Sequence, residues 1–135
     1  MIAPSPAIEV VAAIIERDGR ILVARRDARR DQPGLWEFPG GKQEAGESQQ
    51  QALRRELQEE LSIDAQIGAY IGSERLTLPD RHIQLHAWHV TAFSGRISLH
   101  CHSEIAWLPP AVAATYALAP ADGPLLQAFI RIRRQ

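Results

Sequence analysis

Three glutamates, Glu56, Glu59 and Glu60, crowd into about one turn of the stretch "RRELQEELSI" (54–63). Like charges three and four residues apart on a helix repel by roughly 0.2–0.5 kcal/mol per pair, so helix stability alone does not account for them. At about 100° per residue the three fall in a sector of roughly 100° bordering the stripe made by Leu53, Leu57 and Leu61. Partly desolvated carboxylates packed this way rise in pKa unless a positive charge joins them. A hard divalent cation resolves the conflict, because Mg²⁺ takes oxygen ligands and keeps waters that bridge to phosphates. Glu47, on the loop leading into the helix, is placed to add a fourth oxygen donor from the same side. The competing reading is a solvated acidic face with Arg54 and Arg55 as ion-pair partners.

The elements that must position these carboxylates follow from patterning. "AIEVVAAII" and "ILVAR", separated by an Asp-Gly turn signal, predict a hairpin over roughly Ala7 to Arg25. A polar loop covers Arg26 to Gly34 and leads to "LWEFPGGK". Ser48 and Gln51 form a capping-box pattern that starts a helix over about Gln49 to Leu61. "IDAQIGAYIGSERLTL" and "RHIQLHAWHVTAF" predict two strands around a turn at Leu78-Pro79-Asp80. "GRISLHCHSEIAWLPP" gives one or two short strands, with a loop expected near His102 to Glu104. A closing helix is expected to bury Leu125, Leu126, Phe129 and Ile132. Strands, a helix, more strands and a last helix imply an α/β fold, a mixed β-sheet with helices on its faces.

The stretch "FPGGKQEAGESQQQALRRELQEELSI" resembles the Nudix box. Gly41, Glu47, Arg55, Glu56, Leu57, Glu59, Glu60 and Ile63 occupy its positions, and Ser62 stands where the pattern has glycine. Following the helix C-terminus, Ser62 is expected to take left-handed geometry with strain of about 1 kcal/mol. The resemblance implies an α/β/α sandwich that cleaves a nucleoside diphosphate linked to another group, using Mg²⁺ or Mn²⁺. It implies Glu56, Glu59 and Glu60 as metal ligands, joined by the Gly40 carbonyl, with Arg55 orienting a box glutamate and Glu47 in support. Glu56 is the first choice for the base that activates the attacking water, Glu59 the second.

"VVAAIIERDGRILVARR", "GLWEFPGGK", "LHAWHV" and "LAPADGPLLQAF" extend the likeness to the Nudix branch that converts nucleoside triphosphates to monophosphate and pyrophosphate. CTP, dCTP and modified cytosine nucleotides are the substrates it implies first. Oxidised guanine triphosphates come second, since "LPDRHIQL" also resembles enzymes acting on those. By matching position Arg26 approaches the phosphates, Phe38 lines the base pocket, Arg81 lies near the nucleotide and Asp122 reads the base. A carboxylate at Asp122 accepts a hydrogen bond from an exocyclic amine; the rival role is a helix N-cap. Phe38 and Trp36 have a rival reading as core aromatics, Arg26 as a surface charge, and Trp88 is read as core.

His100 and His102 flank Cys101, yet in a strand the cysteine faces away from both histidines, so a zinc site of those three needs a bend. Many Nudix relatives carry a glutamate near the Cys101 position, and Glu104 is the nearest acid to substitute. Non-catalytic nucleotide sensing and hydrolysis of ADP-ribose or nucleotide sugars are competing readings; the intact glutamate set opposes the first and the short chain the second.

A chain of 135 residues suits one domain, and a net charge of −1, from 15 Lys and Arg against 16 Asp and Glu, gives no overall case for a nucleic-acid partner. "RIRRQ" reads as a solvated end. One cysteine excludes an internal disulfide and suits a reducing compartment. "MIAPSPAIEV" has no signal-peptide pattern, and no apolar run is long enough to span a bilayer. The expectation is a cytoplasmic enzyme of small-molecule nucleotides, monomer or homodimer, away from membranes.

Overall fold

The computed structural model describes residues 7–134; Gln135 and the first six residues, which carry the start of the signal-peptide reading, lie outside them. The hairpin forms as expected. Strand β1 (Ala7–Arg17) turns through Asp18 and Gly19, both at positive φ, into β2 (Arg20–Arg26). Two consecutive left-handed residues make the turn whose twist matches that of paired strands.

Next come β3 (Trp36–Glu37), β4 (Gly40–Lys42), α1 (Gln49–Leu61), β5 (Asp64–Gln66), β6 (Tyr70–Thr77) and β7 (His82–Val90). The chain closes with β8 (Ala92–Ser94), β9 (His102–Leu108), the short α2 (Pro110–Ala113) and α3 (Asp122–Arg133). The main sheet runs β3-β2-β1-β7-β6, with β4 also on β1 and β9 also on β2. Its β1–β7 pair is parallel and its other pairs are antiparallel, so the sheet is mixed.

Strand β1 divides the interior. Val11, Ala13 and Ile15 face one way and pack with Leu53, Leu57 and Leu61 of α1; Ala12 and Ile14 face the other way, with Leu126 and Phe129 of α3. Two-residue alternation on one buried strand thus serves two helix layers, which is the α/β/α sandwich. Each fully buried leucine on α1 contributes about 1.5–3 kcal/mol relative to an exposed one.

Several expectations are corrected. The segment from Ile63 to Leu78 is two strands, because β5 leaves the main sheet to pair with β8. The loop expected near His102 to Glu104 lies earlier: His102 already opens β9, where backbone pairing with β2 outweighs the polar composition. Ile132 is 46% exposed, so the buried face of α3 is made by Asp122, Leu125, Leu126 and Phe129. "RIRRQ" is exposed through Arg134, but Arg133 bonds Glu16 and lies over Phe129. Trp88 is partly buried against the core, with its indole N–H donated to Gln49 Oε1 at 2.9 Å. Among the described residues no helix is long and apolar enough to cross a membrane.

Candidate active site

The carboxylates are presented by α1, whose N-terminus carries the complete capping box: the Gln51 N–H donates to Ser48 Oγ and the Ser48 N–H to Gln51 Oε1. At its other end Ser62 adopts φ 60°, the left-handed geometry expected there. Along the helix the three glutamates differ sharply. Glu60 and Glu56 have 11% and 16% of their side chains exposed, whereas Glu59 has 59%.

Arg55 organises the loop side. Its Nε and Nη2 reach the two oxygens of Glu47 at 2.8 and 2.9 Å, Nη1 reaches Glu56 Oε1 at 2.9 Å, and Nη2 also reaches the Lys42 carbonyl at 3.1 Å. Glu59 Oε2 lies 3.5 Å from Nη1. Hydrogen bonds from Arg55 and from the Glu44 N–H hold the Glu47 carboxyl near pKa 2. Arg55 thus engages both oxygens of Glu47, which anchors the guanidinium.

Glu56 lies against Gly41, where a Cβ would stand 2.4 Å from the carboxylate carbon; at Gly40 it would stand 1.9 Å from the Val11 carbonyl oxygen. The absence of side chains on these two residues lets the helix carboxylates and the strand backbone close together. Glu60 Oε1 is buried with no hydrogen-bond partner. Burial first, then the Glu37 and Glu56 carboxylates, push Glu60 up to about 8. An orphaned buried oxygen beside a second carboxylate, all donors hard, fits a divalent cation bound by Glu56 and Glu60.

Gly40 and Gly41 also line a cavity of about 590 Å³ that contains Arg26, Phe38, Arg81 and Asp122. All four residues assigned to the nucleotide by resemblance thus converge beside the carboxylates. Arg81 is exposed at its rim. Arg26 is not a free surface charge, since it donates to Glu37 Oε1 at 2.6 Å and to the Asp31 carbonyl at 2.5 Å. Phe38 is buried in the core and borders the cavity at once.

Asp122 departs from its N-cap reading. It is the first residue of α3, behind an Ala121 N-cap that makes no side-chain bond, and its carboxyl turns inward to accept the Phe38 N–H at 3.2 Å. Burial and the nearby Glu37 raise it to about 8. That direction favours the protonated acid, which can donate as well as accept.

Glu37, Arg30 and His102 were missed. Glu37 is buried and bonds Arg26, Arg30 (2.6 Å) and His102 Nε2 (2.9 Å). Burial opposes its ionisation, but His102 and the two arginines outweigh that and hold it near pKa 2. The signal was an acid set between Trp36 and Phe38, which a core strand does not accept without a partner. Glu104 does not join the site: it pairs with Arg25 at 3.0 Å, half exposed. His100 also stays apart, bonded through Nε2 to Ser62 Oγ at 2.7 Å, so the three-ligand zinc arrangement of His100, Cys101 and His102 is not made.

The NUDIX domain profile matches residues 6–129. The chain belongs to the Nudix family. As a Nudix hydrolase it acts on nucleotide phosphoanhydride bonds. It is 57% identical to a CTP pyrophosphohydrolase of Escherichia coli strain K12 over 126 residues, 93% of each chain. It is 36% identical to an 8-oxo-dGTP diphosphatase of Proteus vulgaris over 92 residues, 67% of this chain and 82% of that one. The solution structure of the E. coli ORF135 protein superposes with a TM-score of 0.89 at 56% identity, covering 96% of this Nudix hydrolase and 92% of that chain. A MutT NUDIX hydrolase from Burkholderia pseudomallei superposes at 0.80 and 26% identity, over 92% and 98%.

Proposed function

We propose that this chain hydrolyses nucleoside and deoxynucleoside triphosphates to monophosphate and pyrophosphate with Mg²⁺, Mn²⁺ being a substitute, and prefers CTP, dCTP and modified cytosine nucleotides. The carrying observation is the convergence of Glu56 and Glu60 with the nucleotide-sized cavity through Gly40 and Gly41. The likeness to a CTP pyrophosphohydrolase over nearly the whole chain supports the choice of base.

In this reading Glu56, Glu59 and Glu60 hold the cation with the Gly40 carbonyl. The bound ion supplies charge neutralisation for the polyphosphate and an acidified water. Arg55 and Glu47 fix the direction of Glu56, which stands ready to take a proton from the attacking water, with Glu59 as its alternate. Arg26 and Arg81 contribute positive charge along the phosphates, and Glu37 keeps Arg26 in place. Phe38 borders the base, while Asp122 offers it a donor and an acceptor. The likeness to 8-oxo-dGTP diphosphatases carries a second reading, in which the same chemistry cleans oxidised guanine from the nucleotide pool.

Pyrophosphate release from CTP, dCTP, 5-methyl-dCTP, dGTP, 8-oxo-dGTP, UTP and ADP-ribose, at saturating Mg²⁺ and with EDTA controls, decides among these. Fastest release from cytosine nucleotides is expected. Preference for 8-oxo-dGTP moves the assignment to the second reading, and absence of cation-dependent release removes both.

A further inference from the structure

The segment before β9 is fastened to the end of α1. The Ser98 and His100 N–H groups donate to the Leu61 and Glu60 carbonyls at 2.9 and 3.3 Å, satisfying helix-end acceptors. Between β2 and β9 the register then slips: Arg25 faces Glu104, but Arg26 faces His102, leaving Ser103 as an extra residue. A bulge of this kind re-aims side chains, and here His102 turns fully inward while Glu104 points out to Arg25. Cys101, in the bend, faces the same interior point.

One ligating atom each from Glu60, Cys101 and His102 lie within 4.8 Å of one another. Cys101 Sγ is 3.6 Å from His102 Nδ1, and Glu60 Oε1 is 3.9 Å from His102 Nε2. An ion takes one ring nitrogen, and tetrahedral sites with sulfur, nitrogen and oxygen ligands space those atoms roughly 3.3–3.8 Å apart: Cys101 Sγ and His102 Nδ1 already fit, and the Glu60 carboxylate, which lies toward Nε2, swings in to complete the set. Nε2 lies 2.9 Å from the acceptor Glu37 Oε2, while Arg30 Nη1, itself a donor, stands 3.2 Å away and gives its proton to the same Glu37 oxygen. With Nε2–H given to Glu37, the Nδ1 lone pair faces Cys101, the carboxylate–histidine arrangement that orients a metal-binding imidazole. Glu60 adds a second pointer, the partnerless buried oxygen directed into this group.

We propose that Glu60, Cys101 and His102 form a softer cation site that takes Zn²⁺ or another thiophilic divalent ion and shares Glu60 with the carboxylate helix. A thiolate and an imidazole favour such ions over Mg²⁺, whose preference is for oxygen. The Cys101 thiol releases its proton to solvent as the ion binds. Because Glu60 belongs to both sets, a thiophilic ion competes with the hydrolytic one. The site itself rests on geometry; its inhibitory consequence rests on the proposed function.

The test is titration of the metal-free protein with Co²⁺, without nucleotide and with a phosphine reductant, following the near-ultraviolet sulfur-to-cobalt charge-transfer band. Cys101 is the only cysteine in the sequence, so the band reports on it alone. A saturable band is expected in the wild type, lost in Cys101→Ser and weakened in Glu60→Gln and His102→Gln, with circular dichroism confirming that each variant is folded. No band in the wild type overturns the proposal. So does a band of equal strength and affinity in folded Glu60→Gln, which marks a lone thiol. A band without Mg²⁺-dependent pyrophosphate release leaves this site standing and removes the nucleotide reading, and release without a band does the reverse.

Discussion

Arg55 grips Glu47 through two parallel hydrogen bonds, 2.8 and 2.9 Å long, while its remaining Nη nitrogen holds Glu56 at 2.9 Å. A planar guanidinium can satisfy both carboxylates at once; an ammonium on a flexible stem cannot. Arg55→Lys is expected to keep the fold and lower turnover by about 10–100-fold, the usual loss when the support of a metal ligand is removed. Steady-state pyrophosphate release beside a circular dichroism spectrum checks this, and unchanged turnover would show that Glu56 needs no orienting partner.

Glu60→Gln separates stability from chemistry. The native carboxyl is buried, lacks a partner at Oε1 and sits beside two other acids, so an uncharged amide relieves repulsion in the metal-free protein. Denaturant midpoint in EDTA at pH 9 is expected to stay level or rise, while turnover with Mg²⁺ falls at least about a hundredfold. Near-normal turnover would remove Glu60 from the metal ligands.

The pH dependence of stability has a sign set by Asp122. An ordinary aspartate ionises near pH 4, but the folded protein raises this one to about 8, chiefly by burial. Between those values the native state holds a proton that the unfolded chain has released, so this contribution is full below about pH 4 and is lost as pH rises toward 8. Glu60 acts in the same direction. Glu37 acts oppositely, its contribution being present above the usual glutamate range and lost as pH falls toward 2. Urea titrations in EDTA from pH 4 to 9 are expected to show declining stability, with a shallower decline in Asp122→Asn; an identical slope would mean that Asp122 is ionised in the fold. The same variant is expected to change base preference while retaining much of its turnover.

Ser62 holds a left-handed backbone conformation, φ 60° and ψ 35°, that costs a side-chain-bearing residue about 1 kcal/mol or slightly more. Ser62→Gly is expected to raise Tm by about 2–6 °C, less whatever the exposed Ser62–His100 bond contributes. A lowered Tm would show that the bond outweighs the strain.

The parts of the site that could be read in advance were those written in local spacing. The capping box, the leucine stripe and the glutamates of α1 are separated by three or four residues, and helix geometry converts such intervals directly into faces. The apolar run of β1 marked a strand, while its two-sided packing emerged only with both helices in place. Glu37 was not legible, because its partners Arg26, Arg30 and His102 come from 7 to 65 residues away. Nor was the inward turn of His102, since it depends on a bulge that neither strand declares alone. The burial that raises the pKa of Asp122 was not legible either, for it is a property of the assembled cavity.

Strand β1 has a consequence for how this chain tolerates mutation. Its odd residues face α1, its even residues face α3, and its backbone at Val11 fits against Gly40 with no room for a side chain. Substitutions that keep size and polarity leave this alternation intact. Loss or gain of a single residue exchanges the two faces for the rest of the strand and shifts the carbonyl that meets Gly40. Length variation is therefore barred from this strand more strictly than sequence variation, and the reading frame of β1 against its neighbours is at once a rule of the core and a rule of the active site.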